Sequence, residues 1–373
     1  MIRIGHAVDA TFAWDQRVAL AQLLDRLPSD RYAQHVCTLD EGASDLAAAV
    51  GASVESLRCF RGWGASKSPS VRRFVQQHHV DVLHAWGSEA AVAGAASGCP
   101  VVLDLHDPVL AARHVKRLRS LSESGRFAAC CRAQIVRRRL VEGGVPLAST
   151  VVVRPGVDFG VVNKARRPAA REAIGADRED FFIVTPERVC RGDGHLDACL
   201  VACMLSRIGE RFCAVVPGGS REKHRLERQA RAVPAPPTLL SPPAGTPTEQ
   251  LIAMADALIV VPRGDIATTA VAWAMAAETL VIGTATYAIA ELIAARVNGL
   301  LFKQTPGRRM VTDIAPLLRG DRSAHAKLKE AARGQAYEVF GLRRCIEQTM
   351  QVYDNLLAGK AADLNINDPA MAG

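Results

Sequence analysis

Short β-branched apolar runs alternate with longer amphipathic or alanine-rich stretches along most of the chain, and this alternation leaves few folds open. VDVLHAW (80–86) and PVVLDLHD (100–107) are typical runs; QRVALAQLLDRL (16–27) and SREKHRLERQARA (220–232) are typical of the stretches between them. Apolar strands in strand–helix–strand order imply parallel sheets covered by helices on both faces. The expected strands are 2–7, 34–40, 80–85, 100–105, 126–131 and 150–154, followed by 181–186, 212–217, 257–262, 279–283 and 299–302. PGVDFGVVNKARRPAA (155–170) separates the two series, which predicts two doubly wound α/β domains joined by a linker. The length of 373 residues agrees, being too great for one ordinary core. The proline-rich VPAPPTLLSPPAGTPT (233–248) is expected to flank a short strand in the second domain, and AADLNINDPAMAG (361–373) to be a disordered tail.

Composition narrows the function classes. The chain is 49% hydrophobic and 23% charged, without an apolar run of about 20 residues that would span a bilayer. MIRIGHAV lacks the basic flank and apolar core of a signal peptide and reads as a first strand, so a cytoplasmic location is expected. The ten cysteines lie mostly inside apolar runs, among them Cys37, Cys130, Cys131 and Cys213, as buried reduced thiols do. The formal charge of +8 is compatible with anionic ligands, anionic lipid or nucleic acid and chooses none of them. Aromatics are not interleaved with basic residues, so no nucleic acid is expected as a partner. RHVKRLR (113–119) and RAQIVRRRL (132–140) concentrate positive charge; a solvated helix face is the simpler reading, peripheral contact with an anionic membrane the sharper one.

Ligands of parallel sheets bind beyond the carboxyl ends of the strands, so function is read from the segments that follow them. His106 ends one strand and is followed by Asp107 and Pro108; it either meets a ligand or is bonded to backbone. His84 also ends a strand, and a structural role is expected for it. His195, Cys199 and Cys203 recur every four residues and would share a helix face, but cysteine packing explains them and no metal is expected. Asp265, Thr268, Thr269 and Trp273 lie in RGDIATTAVAWAMAAE (263–278), directly after the strand ALIVVP.

These segments resemble, in order, the motifs of the family 4 glycosyltransferases, whose GT-B architecture sets two Rossmann-like domains facing across a cleft. Besides the two strands quoted first, GGVPLASTVVVRPGVD (143–158), VVPGGSREKHRLERQA (215–230), LIAMADALIVVP (251–262) and AIAELIAARVNGLLF (288–302) carry the resemblance. It implies an acceptor-side domain at 1–158, a donor-side domain at 165–336 and a C-terminal helix at 337–358 returning to the first domain, with Tyr337, Phe340 and Tyr353 as its packing residues. It also implies sugar transfer from a nucleotide-activated donor, with retained configuration and no metal or other cofactor.

By the same resemblance His106 and Asp265 would face the sugar, as catalytic residues. Arg188 and the helix start at Thr268 and Thr269 would meet the diphosphate, and Glu291 would mark the far side of the nucleotide pocket. The donor positions depart from the pattern. Trp273 replaces a glutamate that accepts the ribose hydroxyls, and tryptophan accepts no hydrogen bond. Glu187 stands for a glycine and Asp193 for a lysine just before Gly194, leaving Arg191 or Arg263 to restore the cation. At about 4 Å and an effective dielectric near 20, each unit of charge is worth up to roughly 4 kcal/mol. Ala13 and Trp14 occupy the place of two glycines in the first-domain loop, and Glu278 that of a small residue. The expectation is therefore a hexosyltransferase with an altered donor site and an unknown acceptor, the alternative an inactive GT-B protein that serves a protein partner.

Overall fold

A computed structural model describes residues 1–9, 13–39, 43–57, 64–106, 112–165, 171, 174, 181–185, 200–201, 203–205, 212–215, 228, 231–232, 238–240, 246–262, 264–302, 311–312, 314 and 322–360. The described residues divide into two compact units: Met1–Gly156 together with Leu342–Lys360, and Val157–Gly341.

In chain order the first unit contains β1 (Ile2–Val8), α1 (Trp14–Arg26), β2 (Tyr32–Thr38), α2 (Ala43–Val50), β3 (Val54–Ser56), α3 (Ser68–Gln77), β4 (Val82–Trp86), α4 (Ser88–Gly94), β5 (Val101–Leu105), α5 (Ala112–Ser122), β6 (Phe127–Cys131), α6 (Gln134–Glu142) and β7 (Thr150–Val152). All seven strands are parallel, in the order β3-β2-β1-β4-β5-β6-β7. Order reverses after β3, where the chain crosses β1 to lay down β4; that reversal defines a doubly wound sheet. Every residue of β4, β5 and β6 is buried, which is why these strands read as largely apolar runs, interrupted only by His84 and Asp104. The strand β3 was not expected from the sequence, because three residues on a sheet edge carry too little pattern.

The second unit holds α7 (Phe159–Ala165), β8 (Phe181–Val184), β9 (Phe212–Val215), β10 (Thr238–Leu240), α8 (Thr248–Met254), β11 (Ala257–Val260), α9 (Thr268–Ala276), β12 (Leu280–Thr284), α10 (Tyr287–Ala290), β13 (Leu300–Phe302) and α11 (Arg322–Val339). Its six strands are also parallel, in the order β10-β9-β8-β11-β12-β13. The sequence predicts a linker over 155–170, but Phe159–Ala165 is helical and belongs to this unit: Val162 is fully buried. The helical pattern at 220–232 lies mostly, and the tail at 361–373 wholly, outside the described residues.

A last helix, α12 (Leu342–Leu357), packs on the first unit, with Cys345, Ile346, Val352, Tyr353 and Leu356 in the cluster formed by Ile4, Val82, Trp86 and Val102. Arg31 reinforces it through an ion pair with Asp354 at 2.5 Å. Two of the three terminal aromatics are core residues as expected, Phe340 and Tyr353 being fully buried. Tyr337 is a correction: it is 73% exposed and only its edge meets Phe159. The reason is a break at Phe340–Gly341 that splits the expected single helix into α11 and α12 and gives each its own packing face.

Candidate active-site edges

In the first unit, the strand ends that face ligands in such sheets carry a chain of buried polar side chains. Alternation along β5 puts Asp104 and His106 on one face, and register places Asp104 between Trp86 and Cys130. On that face Asp104, 1% exposed, forms a two-pronged pair with Arg132, whose Nε donates to Oδ1 at 2.9 Å and whose second nitrogen donates to Oδ2. Arg132 also reaches the carbonyls of Val153 and Arg154, each at 3.4 Å. The sequence placed Arg132 in a basic surface segment. It is 1% exposed, because β6 ends one residue earlier and directs it onto the Asp104 carboxylate.

His106 continues the chain. Its Nδ1 lies 2.8 Å from Asp15 Oδ2 at the start of α1, and its Nε2 lies 3.0 Å from Asp104 Oδ1, off the line of a good hydrogen bond. Burial opposes protonation of the ring, but the Asp15 and Asp104 carboxylates outweigh it and raise the pKa above the ordinary histidine value. Burial likewise works against the Asp104 carboxylate, yet Arg132 and the two histidines hold it well below the usual range. The result is an alternating series, Asp15, His106, Asp104, Arg132, in which each charge has an opposite neighbour. Such compensation is required for buried charges.

His84 sits on the other side of Asp104, its Nε2 at 3.5 Å from Oδ2. Its Nδ1 lies 2.6 Å from the Tyr353 hydroxyl; because the Asp104 carboxylate faces Nε2, the ring proton is assigned to Nε2 and Nδ1 then accepts from the hydroxyl. Burial lowers its pKa despite that carboxylate, so it stays neutral. The ring stacks on Trp86 with centroids 4.6 Å apart, and Trp86 Nε1 donates to His6 Nδ1 at 3.3 Å. His6 donates in turn to Gln34 at 3.1 Å, and burial with the neighbouring His84 lowers its pKa to about 3. His84 thus has the structural place that the sequence suggested.

The same edge of the second unit is built differently. Asp265, 3% exposed, follows β11 and accepts the amide of Ala288 at 3.1 Å, tying its loop to the start of α10. Ala267 takes a left-handed turn at φ 70° and α9 begins at Thr268. All nine residues of α9 are buried, including Thr268, Thr269 and Trp273. Thr269 Oγ1 and Trp273 Nε1, one turn apart, find no hydrogen-bond partner among the described residues. Glu291 ends α10 and is half-buried.

In the first-domain loop, Ala13 is half-buried and its amide donates to Gln16 Oε1 at 3.1 Å, while Trp14 opens α1 and is 8% exposed. Arg188, Arg191, Asp193, Gly194 and Arg263 lie outside the described residues, as do Glu187, His195 and Cys199. The structure therefore joins His106 to Asp15, Asp104 and Arg132, three residues that sequence reasoning did not select, and sets Asp265 beside α10 in the other unit. Among the described residues no group of three His, Cys, Asp or Glu is arranged to hold a metal ion, and no helix is long and apolar enough to cross a membrane.

Residues 16–160, the span that contains this buried series apart from His6, Asp15 and Tyr353, match a family model. The family is Glycosyltransferase Family 4. No curated protein sequence matches the chain. Solved structures do match over nearly its whole length. A glycosyltransferase from Rickettsia africae superposes with a TM-score of 0.76 at 15% identity, covering 95% of this chain and 98% of its own. HepE of Anabaena, in complex with UDP, gives 0.76 at 18% identity, covering 95% and 100%. Sucrose-phosphate synthase of Thermosynechococcus elongatus gives 0.76 at 13% identity, covering 96% and 100%. At such identities the likeness concerns the fold, which is GT-B with two parallel Rossmann-like sheets.

Proposed function

We propose that the protein is a family-4-type glycosyltransferase that moves a hexose-type sugar from a nucleoside diphosphate donor to a hydroxyl-bearing acceptor, with retention of configuration. The observation that carries this reading is His106, which closes β5 at the ligand edge of the domain that matches the family and is held between Asp15 and Asp104. HepE of Anabaena is also solved with UDP-glucose, which supports a nucleotide hexose as the donor. In this reading Asp265 and His106 lie on the sugar side. Arg188 and the amides near Thr268 stabilise the leaving diphosphate, assisted by Arg191 or Arg263. With both ring nitrogens turned to carboxylates, His106 fixes the Asp15 carboxylate at the start of α1 rather than offering a spare N–H. Cytoplasmic transfer beside an anionic membrane, through the basic segments of α5 and α6, belongs to the same proposal.

A second reading, an inactive GT-B protein that serves as a binding subunit, is favoured by Trp273. Its indole is 2% exposed on the helix where the resemblance expects a ribose-binding carboxylate. Calorimetric titration with UDP, GDP, ADP and their sugar conjugates separates the two. Micromolar binding by the native chain is expected for the transferase. Binding gained only in a Trp273→Glu/Asp193→Lys double variant would instead mean a retired donor site.

A further inference from the structure

The opposite edge of the first sheet holds a second candidate site, independent of the transfer reaction proposed above. Gly98 and Cys99 precede β5 and Arg126 precedes β6, so the cavity they share with α4 and α5 opens at the amino ends of the strands. The five residues of β5 lie between it and His106, about 17 Å at roughly 3.3 Å per residue. Its volume is about 400 Å³, within the range of small-ligand sites.

Its lining is chemically one-sided. Arg117, Arg126 and Ser120 line it together with the apolar Val92 and Leu121, and no Asp or Glu is among its lining residues. Arg126 is oriented in advance: one Nη1 hydrogen donates to the Gly98 carbonyl at 2.7 Å, which fixes the plane of the fork. Ser124 steadies the same turn by donating to the Leu121 carbonyl at 2.6 Å and accepting the Arg126 amide at 3.2 Å. The Cys99 thiol is pushed up to about 12, chiefly by burial, and so adds no negative charge. A planar donor fork in a cavity that a second arginine also lines suits a tetrahedral oxyanion, and Val92 and Leu121 suit hydrocarbon attached to it.

We propose that this cavity binds a phosphate ester, its oxygens on Arg117 and Arg126 and its organic part against Val92 and Leu121. A phosphorylated metabolite and a lipid headgroup share that chemistry, and the test separates them. The full chain is titrated calorimetrically with inorganic phosphate and with glycerol 3-phosphate, and sedimented with phosphatidylcholine vesicles containing phosphatidic acid. Arg117→Gln/Arg126→Gln, Ser120→Glu and the control Arg138→Gln, which lies on α6 outside the cavity, are measured alongside. The expected result is binding of at least one probe, weakened about tenfold or more by the double change and by the Ser120 change and about twofold or less by the control. Binding of glycerol 3-phosphate identifies a soluble ligand; binding of the vesicles alone identifies a lipid. Equal weakening by Arg138→Gln would reduce the effect to general surface charge, and absence of binding to every probe would overturn the proposal. Ser120 is solvent-exposed, so its variant tests the cavity even where loss of both arginines impairs folding.

Discussion

The two sheets carry opposite chemistry at the carboxyl ends of their strands. In the first unit Asp15, His106, Asp104 and Arg132 alternate in sign, and His84, Tyr353, Trp86 and His6 extend the series through hydrogen bonds and stacking. In the second, α9 is buried on all sides, and it leaves the Thr269 hydroxyl and the Trp273 N–H without partners among the described residues. The first edge is held together by charge compensation, which fails sharply when one member is removed. The second is held mainly by apolar burial, in which an unbonded donor has already cost what it costs and its removal changes little.

That contrast can be broken most severely with acid. The folded pKa of His6 is lowered to about 3, so the unfolded chain takes up this proton first as pH falls. Stability from its neutral form is complete above about 6.5 and declines toward about 3, by roughly 4–5 kcal/mol at about 1.4 kcal/mol per unit of pKa. Urea unfolding followed across that range is expected to show the decline, and a His6→Phe variant to flatten it. An unchanged slope in the variant would assign the acid sensitivity elsewhere. His106 has the opposite sign, since its folded pKa is raised. Its contribution is complete below about 6.5 and is lost as pH rises through the folded value, an alkaline loss that His106→Gln should abolish.

Asp104→Ala is expected to cost about 3–5 kcal/mol in urea unfolding at neutral pH, because it strands the Arg132 guanidinium in the core. A cost below about 1 kcal/mol would show that water reaches Arg132 and that the series is not closed. Asp265→Asn is the matched change in the second unit. The amide oxygen still accepts the Ala288 N–H, so a loss of about 1 kcal/mol is expected. Trp273→Phe should be the mildest, within about 1 kcal/mol of the native chain, since it removes an unpartnered N–H and some volume together. A much larger loss would mean that the indole N–H is bonded after all, and the contrast between the two edges would narrow.

The architecture was legible because fully covered parallel strands are mostly apolar, and β4, β5 and β6 are buried along their whole length with only His84 and Asp104 as polar members. His106 was legible as a strand-end residue. Asp104 was not: inside VVLDL it breaks an apolar run and carries no sign of a partner. Arg132 was misplaced for a related reason, since RAQIVRRRL averages to a solvated surface although its first arginine is buried. Asp15 fell next to the expected loop residues Ala13 and Trp14 and gave no signal apart from them.

By itself the sequence determined the class of fold and the two parallel sheets, because apolar periodicity depends on burial alone. Tertiary structure decided which charges met. Asp104 and Arg132 are brought together by the register of β5 on β6, and Tyr353 reaches His84 across 269 residues because α12 packs back on the first sheet. Ion pairing depends on distances of a few ångströms between side chains remote in the chain, and local composition does not encode such distances.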